Sequence, residues 1–270
     1  MKDSTISPLS DLAVIVPIGP GESHWAGLIY QLIKLPAESD LILVFTRKNQ
    51  SSSKHHKIMF DGLANEILHH DISRFGFDSD NIIPVLDVLG PRRVICIDGP
   101  NGRAAVMNIG VEYADKSYLW FLHADSRFTP NTIPFLKKSL VQNPDAMWFF
   151  RLSFLDDGGS RLVHMNQQVA RIRSESWGVP FGDQGFCLKK ELFSKAGRFP
   201  EKVSMGEDHI FLWHVKHAGI PVQCTGAELL TSARKYQIHG WLNITLKYQY
   251  IWIKQAIPQY ISLLRKRFKS

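Results

Sequence analysis

Apolar residues in this chain fall into short unbroken blocks rather than the strict alternation of strands with one wet face. Leu12–Ile18 (LAVIVPI), Leu41–Phe45 (LILVF), Val94–Asp98 (VICID) and Tyr118–Leu122 (YLWFL) are such blocks, each bounded by turn or charged residues. Blocks of this length predict strands buried on both faces, as in parallel sheets sandwiched by helices. Between them the period changes to that of a helix. Residues 24–35 put Trp25, Leu28, Ile29, Leu32 and Ile33 on one face and stop at Pro36, and residues 104–114 do the same with Met107, Val111 and Ala114. Residues 130–142 carry Pro130 at a first turn and Asn143-Pro144 beyond the end. Strand–helix alternation in the first half predicts parallel strands joined by right-handed crossovers. In the second half, residues 147–154 and 185–189 read as antiparallel strands, and residues 210–217 as a helix stopped by Gly219. The predicted class is α/β: a Rossmann-like parallel half, a mixed-sheet half and a helical tail.

Arg47 to Lys57 is polar, contains Ser51-Ser52-Ser53 and reads as a loop, while residues 58–90 fit no single element. The chain has 270 residues, 44% hydrophobic and 21% charged, which is globular composition with enough length for a sizeable core. No run reaches the roughly 18 apolar residues of a membrane span, and residues 1–10 lack the apolar core of a secretory signal. Cys96, Cys187 and Cys224 are scattered with no Cys-x-x-Cys pair, so free buried thiols and a cytoplasmic location are expected. A net charge of +7 favours anionic partners, yet no nucleic-acid motif accompanies it, and the densest basic run is Arg265-Lys266-Arg267-Phe268-Lys269.

Candidate chemistry sits where strands end. Ligands of open α/β sheets bind outside the carboxyl ends of the strands, so Asp125, just beyond the YLWFL block, is placed to hold a metal or nucleotide; it would equally cap a helix starting near Thr129. Asp98 ends the VICID block in the same way. Arg103 opens a helix after Gly102, where a guanidinium and a helix N-terminus together hold a diphosphate; Asn108 follows on that helix. Gly206-Glu207-Asp208 opens another, and two acids there serve either the helix dipole or proton transfer. Asp183 and Gln184 lie in a glycine-flanked turn that suits either a ligand or a plain loop. Thr231 to Gly240 adds Arg234, Lys235 and His239, the last more simply a structural histidine.

In this order the motifs resemble the family 2 glycosyltransferases of the GT-A fold, in the bacterial branch with GRAxQMNxG, FLHADSR, GDQ, MxED and TSxR[RK]. They stand here as Gly102–Gly110, Phe121–Arg127, Gly182–Gln184, Met205–Asp208 and Thr231–Lys235, with Gly197–Pro200 matching a further stretch. The likeness covers residues 92–240 well and 12–35 more loosely. It implies one GT-A domain over residues 1–240, with an atypical insertion at about 46–90 and a tail at 241–270. It also implies transfer of a sugar from a nucleotide-diphosphate sugar to an acceptor hydroxyl, usually with Mn²⁺ or Mg²⁺. Asp208 matches the base of inverting members and Glu207 its neighbour. Asp125 matches the last acid of the metal-binding D-x-D element, with His239 as an added ligand. Pro17, Glu22, Asp98, Arg103, Asn108, His123 and Arg234 fall on the donor side, Asp183 and Gln184 on the acceptor side. His123 replaces the first acid of D-x-D, Val106 replaces the usual Gln, and an Asp-Gly-x-Ser element is missing after the second strand. These departures favour, as the alternative, a non-catalytic GT-A-like binding module that has lost nucleotide recognition. A nucleotidyltransferase would want basic residues near Gly19-Pro20-Gly21, and none stands there.

Trp241 to Ser270 combines six aromatic side chains with a basic end. That composition suits peripheral contact with a membrane bearing a lipid-linked acceptor. It equally suits a helix packed on the domain, and Pro258 is expected to interrupt its face.

Overall fold

The computed structural model describes residues 7–20, 22, 24–46, 57–60, 91–157, 162–203 and 205–267, without the side chains of 57–60, 239, 264, 266 and 267. Most of the expected 46–90 insertion, residues 268–270 and the side chains of Lys266 and Arg267 therefore lie outside the description. Nine strands form one sheet among them: β1 (Leu12–Ile18), β2 (Asp40–Thr46), β3 (Lys57–Phe60), β4 (Val94–Gly99), β5 (Tyr118–Phe121), β6 (Arg127–Phe128), β7 (Met147–Phe154), β8 (Cys187–Lys189) and β9 (Val222–Thr231), in the order β3-β4-β2-β1-β5-β8-β7-β9-β6. The helices are α1 (Trp25–Leu32), α2 (Arg103–Glu112), α3 (Thr132–Gln142), α4 (Val163–Arg171), α5 (Lys190–Ala196), α6 (Glu207–His217), α7 (Arg234–His239) and α8 (Trp241–Arg267).

β4, β2, β1 and β5 run parallel, with Val14 opposite both Leu41 and Trp120. Their unbroken apolar blocks serve two cores at once. Leu12, Val14, Val16 and Ile18 face one layer with α1 and α3, whereas Ala13 and Ile15 face the other with α2 and α6. Each such buried Leu, Val or Ile side chain stabilises by about 1.5–3 kcal/mol. Gly110 lets α2 approach the sheet, since a Cβ there would lie 2.7 Å from Ile15 Cγ2. Cys96 and Cys187 are buried free thiols in these layers, and burial pushes Cys96 up to about 12, so neither is a ready nucleophile.

Three expectations need correction. β7 is antiparallel to β8 but parallel to β9, because hydrophobic pattern reports burial and carries no strand direction. α3 starts at Thr132, leaving Pro130 in the preceding turn. α8 continues through Pro258. Pro258 and Lys254, whose carbonyl loses its partner there, are both exposed, so water satisfies that carbonyl.

β8 is entered through Gly185 at φ +65°, and a Cβ there would meet Leu229 Cδ2 at 2.7 Å and Trp120 Nε1 at 3.2 Å. Gly185→Ala is expected to cost about 2 kcal/mol from the left-handed backbone and the overpacking together. Calorimetry should show this as a fall in Tm of about 4–8 °C.

Candidate active site

The parallel strands end on one side of the sheet, and there β5, β9 and the N-termini of α2 and α6 open a pocket. Arg103, His123, Asp125, Asp183, Asp208 and Lys235 line its polar end. Phe154, Val169, Tyr236, Tyr248 and Trp252 line its apolar end, two of them supplied by α8.

Asp208 stands in the first turn of α6, and its Oδ2 accepts the Gly182 N–H at 2.6 Å. A Cβ on Gly182 would lie 2.9 Å from that oxygen, so this contact needs glycine. Burial acts to raise the Asp208 pKa, but Arg103, the Gly182 N–H and His123 outweigh it and hold the carboxyl below the ordinary aspartate range. Glu207, buried beside it, accepts a hydrogen bond from Arg103 Nε. Burial opposes the Arg103 charge, yet Asp208 and Glu207 raise its pKa above the usual value. Arg103 is thus a counter-charge for the α6 acids as well as a pocket wall.

Asp125 does not cap α3. Its Oδ2 accepts from Thr231 Oγ1 at 3.0 Å and from the Ser232 N–H at 3.2 Å, tying the end of β5 to the end of β9. Burial, then Arg103, lowers the His123 pKa against the pull of three carboxylates, so its imidazole is neutral near pH 7. Asp183 Oδ1 is buried and has no hydrogen-bond partner.

Two residues picked from the motifs are engaged by hydrogen bonds within the fold. Asn108 is buried, with Nδ2 donating to Phe199 O at 2.9 Å and to Glu201 Oε1 at 2.8 Å, while Oδ1 accepts the Phe199 N–H at 3.1 Å. Both ends of its amide are used to dock the 199–201 turn on α2, away from the crevice. Gln184 is fully buried, donating to Phe150 O at 2.8 Å and accepting from the Phe181 N–H at 3.1 Å, so it braces the turn while its neighbour Asp183 faces the pocket.

The remaining candidates flank the site. Pro17 sits near the end of β1, and Asp98, buried, lies opposite Phe45 near the end of β4. Glu22 Oε1 accepts the His24 N–H at 2.8 Å and has Arg234 Nη2 at 3.8 Å. Arg234 Nε donates to Ser232 Oγ at 2.9 Å. His239 closes α7, and its side chain lies outside the described residues.

Three further residues complete the site, and of these Arg173 and Asp157 carry no mark in the sequence. Lys235 lines the pocket; burial works against its charge, but Asp183, Tyr236, Tyr248 and Asp125 raise its pKa. It is the last residue of the Thr231–Lys235 motif, which was its signal in the sequence. Arg173 is buried with its guanidinium 3.3 Å from the Phe181 ring centre, and burial lowers it to about 10 despite Asp183 and Asp208. Asp157 accepts from Ser232 Oγ and, at 3.0 Å, from the Ala233 N–H, fixing the start of α7. Finally, Gln255 of α8 donates to Met205 O at 2.9 Å and pairs with His209 Nδ1 at 3.1 Å, while Trp213 Nε1 donates to His209 Nε2 at 2.9 Å. The neutral imidazole of His209 therefore carries its proton on Nδ1.

A family model, Glycosyl transferase family 2, matches residues 78–197. Among solved structures, S. aureus TarS 1-349 in complex with UDP-GlcNAc aligns at TM-score 0.55 and 13% identity, covering 82% of this chain and 58% of that one. The same fragment with UDP aligns at 0.53 and 14%, covering 82% and 60%. The chain thus spans roughly three-fifths of that fragment. Mannosyltransferase PcManGT from Pyrobaculum calidifontis, solved with GDP-Man and Mn²⁺, aligns at 0.48 and 15%, covering 82% and 56%. No curated protein matches the sequence. The likeness fixes the fold as GT-A, in the α/β class.

Proposed function

We propose, from the family 2 match and the GT-A fold, that this chain is a glycosyltransferase moving a sugar from a nucleotide-diphosphate sugar to an acceptor hydroxyl, with inversion. The observation that carries the reading is a single pocket in which an ionised carboxylate, Asp208, faces a mixed set of acids and cations, His123, Asp125, Asp183, Arg103 and Lys235. Asp208 takes the proton from the acceptor hydroxyl as its oxygen attacks the anomeric carbon, opposite the departing nucleotide diphosphate. One displacement at that carbon inverts its configuration. Glu207 anchors Arg103, and Arg103 keeps Asp208 charged. Lys235 meets the diphosphate charge at the pocket, while Pro17, Glu22 and Asp98, at and beyond the ends of β1 and β4, border the nucleoside side, with Arg234 of α7 facing Glu22.

A divalent cation, Mn²⁺ or Mg²⁺, fits the polar end by donor chemistry. Asp125 is oriented by Thr231 and Ser232, His123 is neutral, and the buried Asp183 Oδ1 lacks a partner. Among the described residues no three His, Cys, Asp or Glu side chains form a complete cation cage. Asp125 and Asp183 would hold such an ion together with oxygens of the substrate. When bound, the ion supplies charge stabilisation to the leaving diphosphate.

The test is thermal stability against UDP-, GDP-, CMP- and dTDP-sugars, with and without Mn²⁺. One donor class should raise Tm in a Mn²⁺-dependent way; ligand at about 100 times Kd adds roughly 2.7 kcal/mol. Asp125→Asn should remove the Mn²⁺ dependence. If no donor shifts Tm at millimolar concentration, the chain is the non-catalytic binding module instead.

A further inference from the structure

α8 packs one face on the domain through Ile244, Tyr248, Trp252, Ala256 and Leu263, which leaves the opposite face without a packing partner among the described residues. On that face Leu246, Tyr250, Ile253 and Ile257 recur every three or four residues and are exposed, Tyr250 by 67%. Exposed apolar residues also line the neighbouring α4 and the turn after it. There Val169 reaches the pocket rim, and Trp177, 58% exposed, stacks on Trp252 at 6.0 Å. Trp177, Ile253 and Ile257 border one surface groove. The two apolar strips therefore adjoin beside the apolar end of the active-site pocket, which Val169, Tyr248 and Trp252 line.

Charge selects what covers this face. Residues 241–270 contain Lys247, Lys254, Arg265, Lys266, Arg267 and Lys269 and no Asp or Glu, while the whole chain carries +7. Lys247, Lys254 and Arg265 are exposed. At 100° per residue, all three fall together on one flank of the apolar stripe. An apolar stripe bordered by cations and free of acids lies in a membrane interface with its basic flank on anionic headgroups. Among the described residues no helix is long and apolar enough to cross a membrane.

From this geometry we infer that α8, with Val169 and Trp177 beside it, is a docking face for an anionic lipid surface, and that it presents the pocket to a lipid-linked acceptor. The docking stands on the stripe and its charge; the acceptor class rests on the glycosyltransferase reading.

The full chain is mixed with phosphatidylcholine vesicles with and without phosphatidylglycerol, and co-sedimentation is measured across salt. Binding is expected only to the phosphatidylglycerol vesicles, weakening as salt rises. The double variant Ile253→Asp, Ile257→Asp should abolish it. The double variant Lys247→Gln, Lys254→Gln should weaken it by roughly thirtyfold and flatten the salt dependence. Both variants should keep the parent's Tm and its Tm shift with donor. Unchanged sedimentation in both variants overturns the inference. So does a parent dimer in size-exclusion chromatography that Ile253→Asp, Ile257→Asp splits, which would make a second copy the occupant. Vesicle binding without any donor shift would remove the transferase reading and leave the docking face. A donor shift without vesicle binding would do the reverse.

Discussion

Asp208→Asn is expected to lower turnover by about 10²- to 10⁴-fold, the usual worth of a positioned general base. The substitution is nearly isosteric, and an amide oxygen still accepts the 2.6 Å hydrogen bond from the Gly182 N–H. What disappears is the capacity to take a proton. Single-turnover release of nucleotide at saturating donor measures the loss, and the donor-induced Tm shift should survive because the polar end is intact. Full activity in this variant would remove Asp208 from the chemistry. The pH dependence follows from the same surroundings. Burial alone would push the carboxyl up, but Arg103, the Gly182 N–H and His123 together hold it down. The base therefore stays ionised through the ordinary aspartate range, and the acidic limb of kcat/KM should lie below it.

Arg103→Ala is expected to destabilise the protein by about 3 kcal/mol, a fall of about 6–12 °C in Tm. Glu207 keeps only 6% of its side chain in water, and removing its partner leaves a buried charge unpaired beside a second acid. Arg103 is itself 43% exposed, so the loss falls at the low end of the range for a broken buried pair. The sign of the pH effect is fixed. A carboxyl depressed in the folded state contributes stability above its unfolded pKa and loses it as pH falls through the folded value. Asp208 is depressed largely by Arg103, so the gap in Tm between parent and variant should be widest near neutrality and close in acid. A gap independent of pH would show that Arg103 acts through packing alone.

The parallel half was legible because burial on both faces leaves an unmistakable block: residues 12–18 read as a strand, and β1 has those limits. The starts of α2 and α6 were legible for a similar local reason, since Gly102 and Gly206 precede them, whereas the start of α3 was misplaced by two residues. Strand direction was not, because a period of two is the same whichever way a partner runs, and β7 lies between one antiparallel and one parallel neighbour. In the site, Asn108 and Gln184 carry the right chemistry in motif-like settings. Whether an amide meets a ligand or its own backbone depends on folding partners 91 and 34 residues away. Arg173 was hidden for the opposite reason, and the charge partners of Lys235 were hidden with it. Long basic side chains read as solvated until tertiary structure shows the acids and rings that surround them.

Gln255 joins the last helix to the backbone ahead of the base, and Gly206 is the only residue type that leaves room for it, since a Cβ there would run into the Gln255 amide. The active site thus has two authors. On the proposed reading, the sheet writes the end that handles phosphate, and α8 writes the end that meets the acceptor while pinning the loop that leads to Asp208. Exchanging residues 241–267 between relatives of this fold is therefore a route to new acceptors on an unchanged donor, provided each transplanted helix brings its own amide to the position of Gln255.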